Sequence, residues 1–208
     1  MSIVYYNMMN VSRELFYEKS NFADYYFHVV RAPRQITRQI EAIPGVTKAT
    51  GRIQKDVPVL KENQQRATAR LIGYPLPMET EVNHLQLASG RLFEKYPQGK
   101  GIEILTDPQF AGANNLSIND TVNIVAEGKK VPLTIVGTAI SSEFIMVMKD
   151  AATLMPDPKT FGIIMLPQEQ AEKILNLSGQ VNQVLITLAP GADEEKLVLL
   201  IKVVKSLA

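Results

Sequence analysis

Cysteine is absent from this 208-residue chain, which excludes disulfides, thiol catalysis and cysteine-held metals without choosing a compartment. Histidine is scarce, with His28 and His84 the two examples. Neither sign of charge is in excess: 22 basic residues stand against 21 acidic ones, for a net charge of +1. A nucleic-acid partner, which calls for a basic excess or stripe, is therefore not expected. Long hydrophobic runs are missing as well. The longest, Leu197 to Ile201 and Phe144 to Met148, fall far short of the roughly 20 residues that span a bilayer. The opening MSIVYYNMMN has neither a basic n-region nor a cleavage site, so it is not read as a signal peptide. What is there, 46% hydrophobic and 21% charged residues, is the composition of a globular protein. The length suits one domain, or two small ones sharing a core.

Two segments share one grammar. Residues 22–53 and 161–188 each read strand, helix, strand, with each helix opening beside a proline and closing at a glycine. In the first, Phe22 to Val30 is dense in aromatic and β-branched residues, and Ala32-Pro33 breaks the strand. Ile36, Ile40 and Ile43 then share one helical face, with Arg34, Arg38 and Glu41 off it, and Pro44-Gly45 stops the helix. In the second, Pro167 starts a helix whose Ala171, Ile174 and Leu175 face inward, Gly179 ends it, and 181–188 is the strand. Strands are also predicted at 46–53 and 66–73, bridged by the polar turn 61–65. Helices are predicted over 5–18 and from Asp193 to the end, the latter with Leu197, Leu200, Ile201 and Val204 as its buried stripe. Between the two units, strands at 101–105, 121–125, 131–138 and 144–148 alternate with turns at Asn119-Asp120, Glu127-Gly128 and Ser141-Ser142, and 109–115 suits one helical turn. The expected fold is α+β: an N-terminal stalk helix at 1–20, a split α/β part at 21–74 and 159–208, and an inserted β-rich part at 75–158.

No catalytic motif falls in this layout. His28 and His84 are 56 positions apart with no acidic pair beside them, so a metal site is not expected. No serine sits in a nucleophile elbow. Gly99-Lys100-Gly101 precedes a strand rather than a helix and is read as a turn, not a phosphate cradle. Glu79, Glu81, Glu103, Asp107, Asp120, Glu127 and Glu143 are scattered and are read as solvated surface. Tyr5, Tyr6, Tyr17, Tyr25, Tyr26 and Phe27 cluster near the start, where core filling is the default and an exposed contact surface the sharper reading. Catalytic residues, cofactors and metals are thus all expected to be absent.

The wording of the segments carries more. Ser20 to Pro33, continuing through IEAIPGV at 40–46, resembles the run that follows the first membrane helix in ABC-type permeases of the MacB/FtsX-like class. Ala88-Ser89-Gly90-Arg91-Leu92-Phe93 is similar to the family's Gly-Arg-hydrophobic-Phe element, and 113–122 with TIVG at 134–137 to its insert, Asn119 standing where glycine is usual. The stretches 154–166 and 181–192 resemble the return into the second α/β half. The resemblance implies a non-catalytic extracytoplasmic domain hung between membrane helices of a permease, with residues 5–20 and 193–207 leading to those helices. Implied partners are a cytosolic ABC ATPase subunit, a second permease copy, and an extracytoplasmic adaptor or a lipid or lipoprotein substrate. The domain's expected role is to couple membrane-helix motion to substrate or partner contact, in export, lipoprotein release or mechanotransmission. The alternative is a free-standing α+β ligand-binding domain or enzyme with its site at the junction of the two parts. An adhesin-like module is a third reading, disfavoured because it has no need of helical ends.

Overall fold

A computed structural model describes residues 21–61, 66–78, 81–94, 101–141, 143–144, 157–193, 195 and 197–198. The helix expected over 5–18, Glu79 and most of the 61–65 turn lie outside the described residues.

The first unit comprises β1 (Tyr25–Pro33), α1 (Ile36–Glu41) and β2 (Val46–Arg52). The second comprises β9 (Phe161–Pro167), α3 (Gln168–Ile174) and β10 (Gln180–Leu188). Strand β10 lies antiparallel between β1 and β2, in a three-stranded sheet of order β1-β10-β2. Ile36 and Ile40 bury against Ala49, Val181, Val184 and Ile186, so α1 covers one face of this sheet. That is the burial the isoleucine spacing predicts, and each such side chain contributes about 1.5–3 kcal/mol.

The second sheet is larger. It takes β3 (Gln54–Leu60), β4 (Arg66–Tyr74), β5 (Leu85–Gly90), β6 (Ile102–Thr106), β7 (Thr121–Ala126), β8 (Lys129–Ser141) and β9. The order is β5-β8-β6-β9-β4-β3-β7, and β7 also pairs with β8, which closes six strands into a barrel and leaves β5 along the far end of β8. Val57 and Val59, Ala69 and Leu71, Val122 and Ile124, Leu133 and Ile135, and Ile164 all point inward at period 2 and fill the barrel. The opposite face of β4, β6 and β9 carries Ile72, Leu105 and Met165, which pack with Tyr74, Met78 and Phe93.

Sheet membership cuts across the expected blocks. Strands β3, β4 and β9 belong to the 21–74 and 159–208 blocks, yet they share a sheet with β5 to β8 of the 75–158 block. The physical reason is Ile53. This fully buried single residue carries the chain straight from β2 in the small sheet into β3 in the large one. The helical turn expected at 109–115 is α2 (Pro108–Ala113), whose N-cap Asp107 accepts from the Phe110 amide at 2.8 Å. Glu143 and Phe144 are helical rather than extended, and the rest of the strand expected at 144–148 lies outside the described residues. Of the C-terminal helix, residues 195 and 197–198 are described and helical, with Leu197 buried against Gly45.

Candidate functional site

The face of the small sheet turned away from α1 carries polar groups around buried Leu185. Cross-strand register places Tyr26 beside Leu185, His28 beside Gln183, and Gln183 beside Arg52, with Thr50 two residues along β2 on the same side. Arg52 is 1% exposed, and a guanidinium cannot shed its charge, so burial demands partners. It has them on every side. Its Nε donates to Gln183 Oε1, and Nη1 and Nη2 donate to the two carboxylate oxygens of Glu143, the first at 2.9 Å. Tyr74 lies under the guanidinium, with 5.6 Å from Cζ to the ring centroid. The Tyr74 hydroxyl and Ser141 Oγ donate to Glu143 Oε1 at 3.3 and 3.1 Å. Burial pulls the Arg52 pKa down, but the Glu143 carboxylate and the neighbouring phenols outweigh it and drive the pKa above its ordinary value. Burial, with the Glu143 charge behind it, holds the Tyr74 phenol well above its ordinary range.

A second cluster caps the same face. Fully buried Asn83, at a φ of 60°, accepts from the Ala23 amide and donates to the Tyr26 hydroxyl at 2.8 Å. Thr50 Oγ1 donates to Glu81 at 2.5 Å and accepts from the Val82 amide at 3.0 Å. The 81–83 loop is thereby fastened across β1 and β2. Burial pushes the Tyr26 phenol up to about 12, against the opposing hydrogen bond from Asn83.

The two sheets are joined by a third group. Gln168, at the start of α3, accepts from the Ile53 amide at 3.1 Å and donates to Glu172 at 3.2 Å. Glu172 also accepts from Arg34 and, at 2.9 Å, from the Gly179 amide, which ties the β1–α1 corner to the end of α3. Asn182 and Gln54 exchange two hydrogen bonds at 2.8 Å, sheet to sheet. A groove of about 80 Å³ opens beside this junction, lined by Arg34, Tyr74, Pro75, Leu76, Pro167 and Gln168 among others. At about 10–15 Å³ per water, it has room for a few solvent molecules.

The described residues singled out in the sequence are spread over both sheets. His28 faces Gln183, with 3.4 Å between their Nε2 atoms, and His84 lies in the lead-in to β5. Among the described residues, no three histidine, aspartate or glutamate side chains are grouped to hold a metal. Among the described carboxylates, Asp120 and Glu127 are exposed and the Glu143 side chain is buried, and each has a partner. Glu143 holds Arg52, Asp107 bridges the α2 N-terminus and the Ile163 amide, Glu103 forks onto Arg91, Glu127 pairs with Lys55, and Asp120 caps the Ser117 amide. Tyr25 stacks on Phe27 at 6.3 Å and Tyr26 meets Phe22 edge-on at 6.0 Å; Tyr5, Tyr6 and Tyr17 lie outside the described residues. Of Gly99-Lys100-Gly101, only Gly101 is described, and it leads into β6. Sequence reasoning missed Arg52 altogether, because its carboxylate partner is 91 positions away.

Comparison with known proteins agrees with this architecture. The extracellular domain of the noncanonic ABC-type transporter YknZ from Gram-positive bacteria superposes with a TM-score of 0.53 at 11% identity, covering 83% of this chain and 86% of that one. The periplasmic region of MacB from Actinobacillus actinomycetemcomitans gives 0.53 at 12% identity, covering 87% and 83%. At such identities the likeness is one of fold. No curated protein sequence matches the chain. No helix among the described residues is long and apolar enough to cross a membrane. The MacB-like periplasmic core domain, however, matches residues 5–202, nearly the full length, and the chain belongs to that family.

Proposed function

We propose that this domain is a non-catalytic extracytoplasmic part of an ABC-type permease, coupling membrane-helix motion to contact with a substrate or partner protein. One observation carries the reading. The chain enters β1 and leaves β10 side by side: Tyr25 pairs with Ile186, the Asp24 amide donates to Ile186 O at 2.9 Å, and the Leu188 amide donates to Asp24 Oδ2 at 2.7 Å. Two membrane helices leading into and out of the domain would thus pull on adjacent strands of one sheet. The Arg52, Glu172 and Asn182 contacts then carry that displacement into the barrel, since closely packed and fully paired groups move together. In the intact transporter, the cytosolic ATPase subunit and a second permease copy supply the motion.

A ligand-binding or enzymatic reading finds less support. The junction groove of about 80 Å³ lies well below the roughly 300–1,000 Å³ of small-molecule sites. The test is the full-length permease reconstituted with its ATPase. Arg52→Ala, which removes the central tie between the sheets, should leave ATP hydrolysis intact and abolish the transport or release it drives. Full transport by this variant would overturn the coupling role. Labelling of the domain from the cytosolic side in oriented vesicles would overturn its placement.

A further inference from the structure

The end of the small sheet opposite the chain's entry and exit has an unusual surface. Strand β1 bulges there: His28 pairs with Gln183 and Ala32 with Val181, so Val29, Val30 and Arg31 stand opposite Asn182 alone. A bulge on an edge strand spoils the ladder that a further strand would need, so recognition here has to work through side chains. Val30 is 93% exposed, against 47% for the next large hydrophobic among the described residues. The bonds between Asn182 and Gln54 bring Lys55 next to the bulge, and Lys55 Nζ meets Glu127 Oε1 at 2.5 Å. Glu127 and Gly128, at φ of 48° and 74°, form the two-residue turn that leads into exposed Lys129 and Lys130, whose side chains leave the strand on opposite faces. Lys55 first, and Arg31 in addition, hold the Glu127 carboxyl below its ordinary range, which puts Arg31 within electrostatic reach of the turn. The exposed Val30 and Arg31 of the bulge thus neighbour a turn that carries Lys129 and Lys130, with Lys55 and Glu127 paired between the two. The chain's net charge is only +1, so this excess is local.

We infer that this tip, formed jointly by the β1 bulge and the β7–β8 turn, is a docking surface for an acidic protein partner. Carboxylates of the partner meet Arg31, Lys129 and Lys130, and an apolar side chain meets Val30. The choice of a protein over a lipid surface rests on the orientation proposed above. From Asp24 to Val30 the strand carries this tip roughly 20 Å from the end where the membrane helices attach. Charges at that separation are screened from lipid headgroups, because the Debye length is about 8 Å at physiological ionic strength. A shared surface also has a mechanical consequence, since a partner seated there bridges the two sheets and reads their relative position.

The probe is a synthetic peptide of about ten residues, glutamates around one central leucine, titrated into the 208-residue chain and followed by amide chemical shifts. Shifts should be confined to residues 29–31, 55 and 127–130. The triple variant R31E/K129E/K130E should weaken binding at least about tenfold, as should raising the salt to about 0.5 M. Val30→Ser should weaken the leucine-containing peptide several-fold and leave an all-glutamate peptide unchanged. Absence of binding, shifts centred elsewhere, or an unchanged affinity in the triple variant would overturn the proposal. Anionic phospholipid vesicles binding the same residues more tightly than the peptide would replace the protein partner by a membrane. An equal effect of Val30→Ser on both peptides would remove the apolar contact from it. None of these readouts depends on coupling to an ATPase, so the proposed function stands or falls separately.

Discussion

Arg52 and Glu143 form a two-pronged ion pair in which the arginine is 1% and the carboxylate 8% exposed, and it joins the small sheet to the segment that follows β8. A buried pair of this kind contributes little net stability over a well-packed apolar pair, yet breaking it leaves an uncompensated charge in the interior. Arg52→Met should therefore cost about 3–5 kcal/mol, and Glu143→Leu a similar amount, whereas the double variant should recover much of the loss. Urea denaturation of the three variants checks this. Additive losses would show that the two side chains do not act as a unit.

Tyr26 supplies a pH test. Its folded-state pKa is raised to about 12 by burial, while the unfolded chain retains the ordinary value of 10.0. The native state thus holds the phenolic proton more tightly. The associated stability is fully present below pH 10 and is lost as pH rises from there through about 12. Absorbance titration near 295 nm should show Tyr26 ionising well after the exposed tyrosines, and Tyr26→Phe should flatten the fall in melting temperature above pH 10. A phenol titrating at its ordinary value would contradict the burial that outweighs the opposing Asn83 hydrogen bond.

Glu172 offers a contrast with Arg52. Its partner Arg34 is 47% exposed, so that ion pair contributes little; the Gln168 and Gly179 bonds are the ones shielded from water. Glu172→Ala should cost about 1–3 kcal/mol by leaving those donors unpaired. Glu172→Gln should cost much less, because an amide oxygen still accepts from Gly179. Denaturation midpoints, with hydrogen exchange at the Gly179 amide, distinguish this from a surface effect.

How far the sequence speaks depends on the range of the interactions. The helices α1 and α3 were legible because Ile36 and Ile40, or Ala171 and Leu175, recur at helical spacing. The glycines expected to stop them, Gly45 and Gly179, instead turn the chain into β2 and β10 at φ of 97° and 70°, and the left-handed residue directly after α3 is Asn176 at 53°. The β7–β8 turn was legible in Glu127-Gly128 for the same local reason. Strand β3 was not, since Pro58 and the charged Lys55-Asp56 are poor strand formers. The structure accommodates them by pairing β3 to β7 only at Val59 and Leu60, past the proline. Strand β5 escaped notice because its residues 87–90 are exposed and show no buried alternation. The Arg52 network was invisible for a different reason. Its members come from β2, β4, β8 and its exit, and β10, and only the closed barrel brings them together.

Gly162 and Phe110 test the packing of α2 on the barrel. A side chain at Gly162 would have its Cβ inside the Phe110 ring and only 2.7 Å from Phe110 Cβ, while Phe110 itself is 1% exposed and cannot swing into solvent. The N-cap at Asp107 fixes α2, and the Asp107 bond to the Ile163 amide fixes α2 against β9, so neither backbone is free to yield. Gly162→Ala should therefore cost about 1–3 kcal/mol through overpacking, or roughly 2–4 °C in melting temperature per kcal/mol for a chain of this size. Phe110→Ala alone should cost about 3–5 kcal/mol as a cavity. In the double variant the added methyl occupies part of that cavity, so the combined loss should be smaller than the sum of the two. Thermal melts of the three variants decide the matter: an unperturbed Gly162→Ala, or strict additivity, would show that the ring does not rest on this glycine.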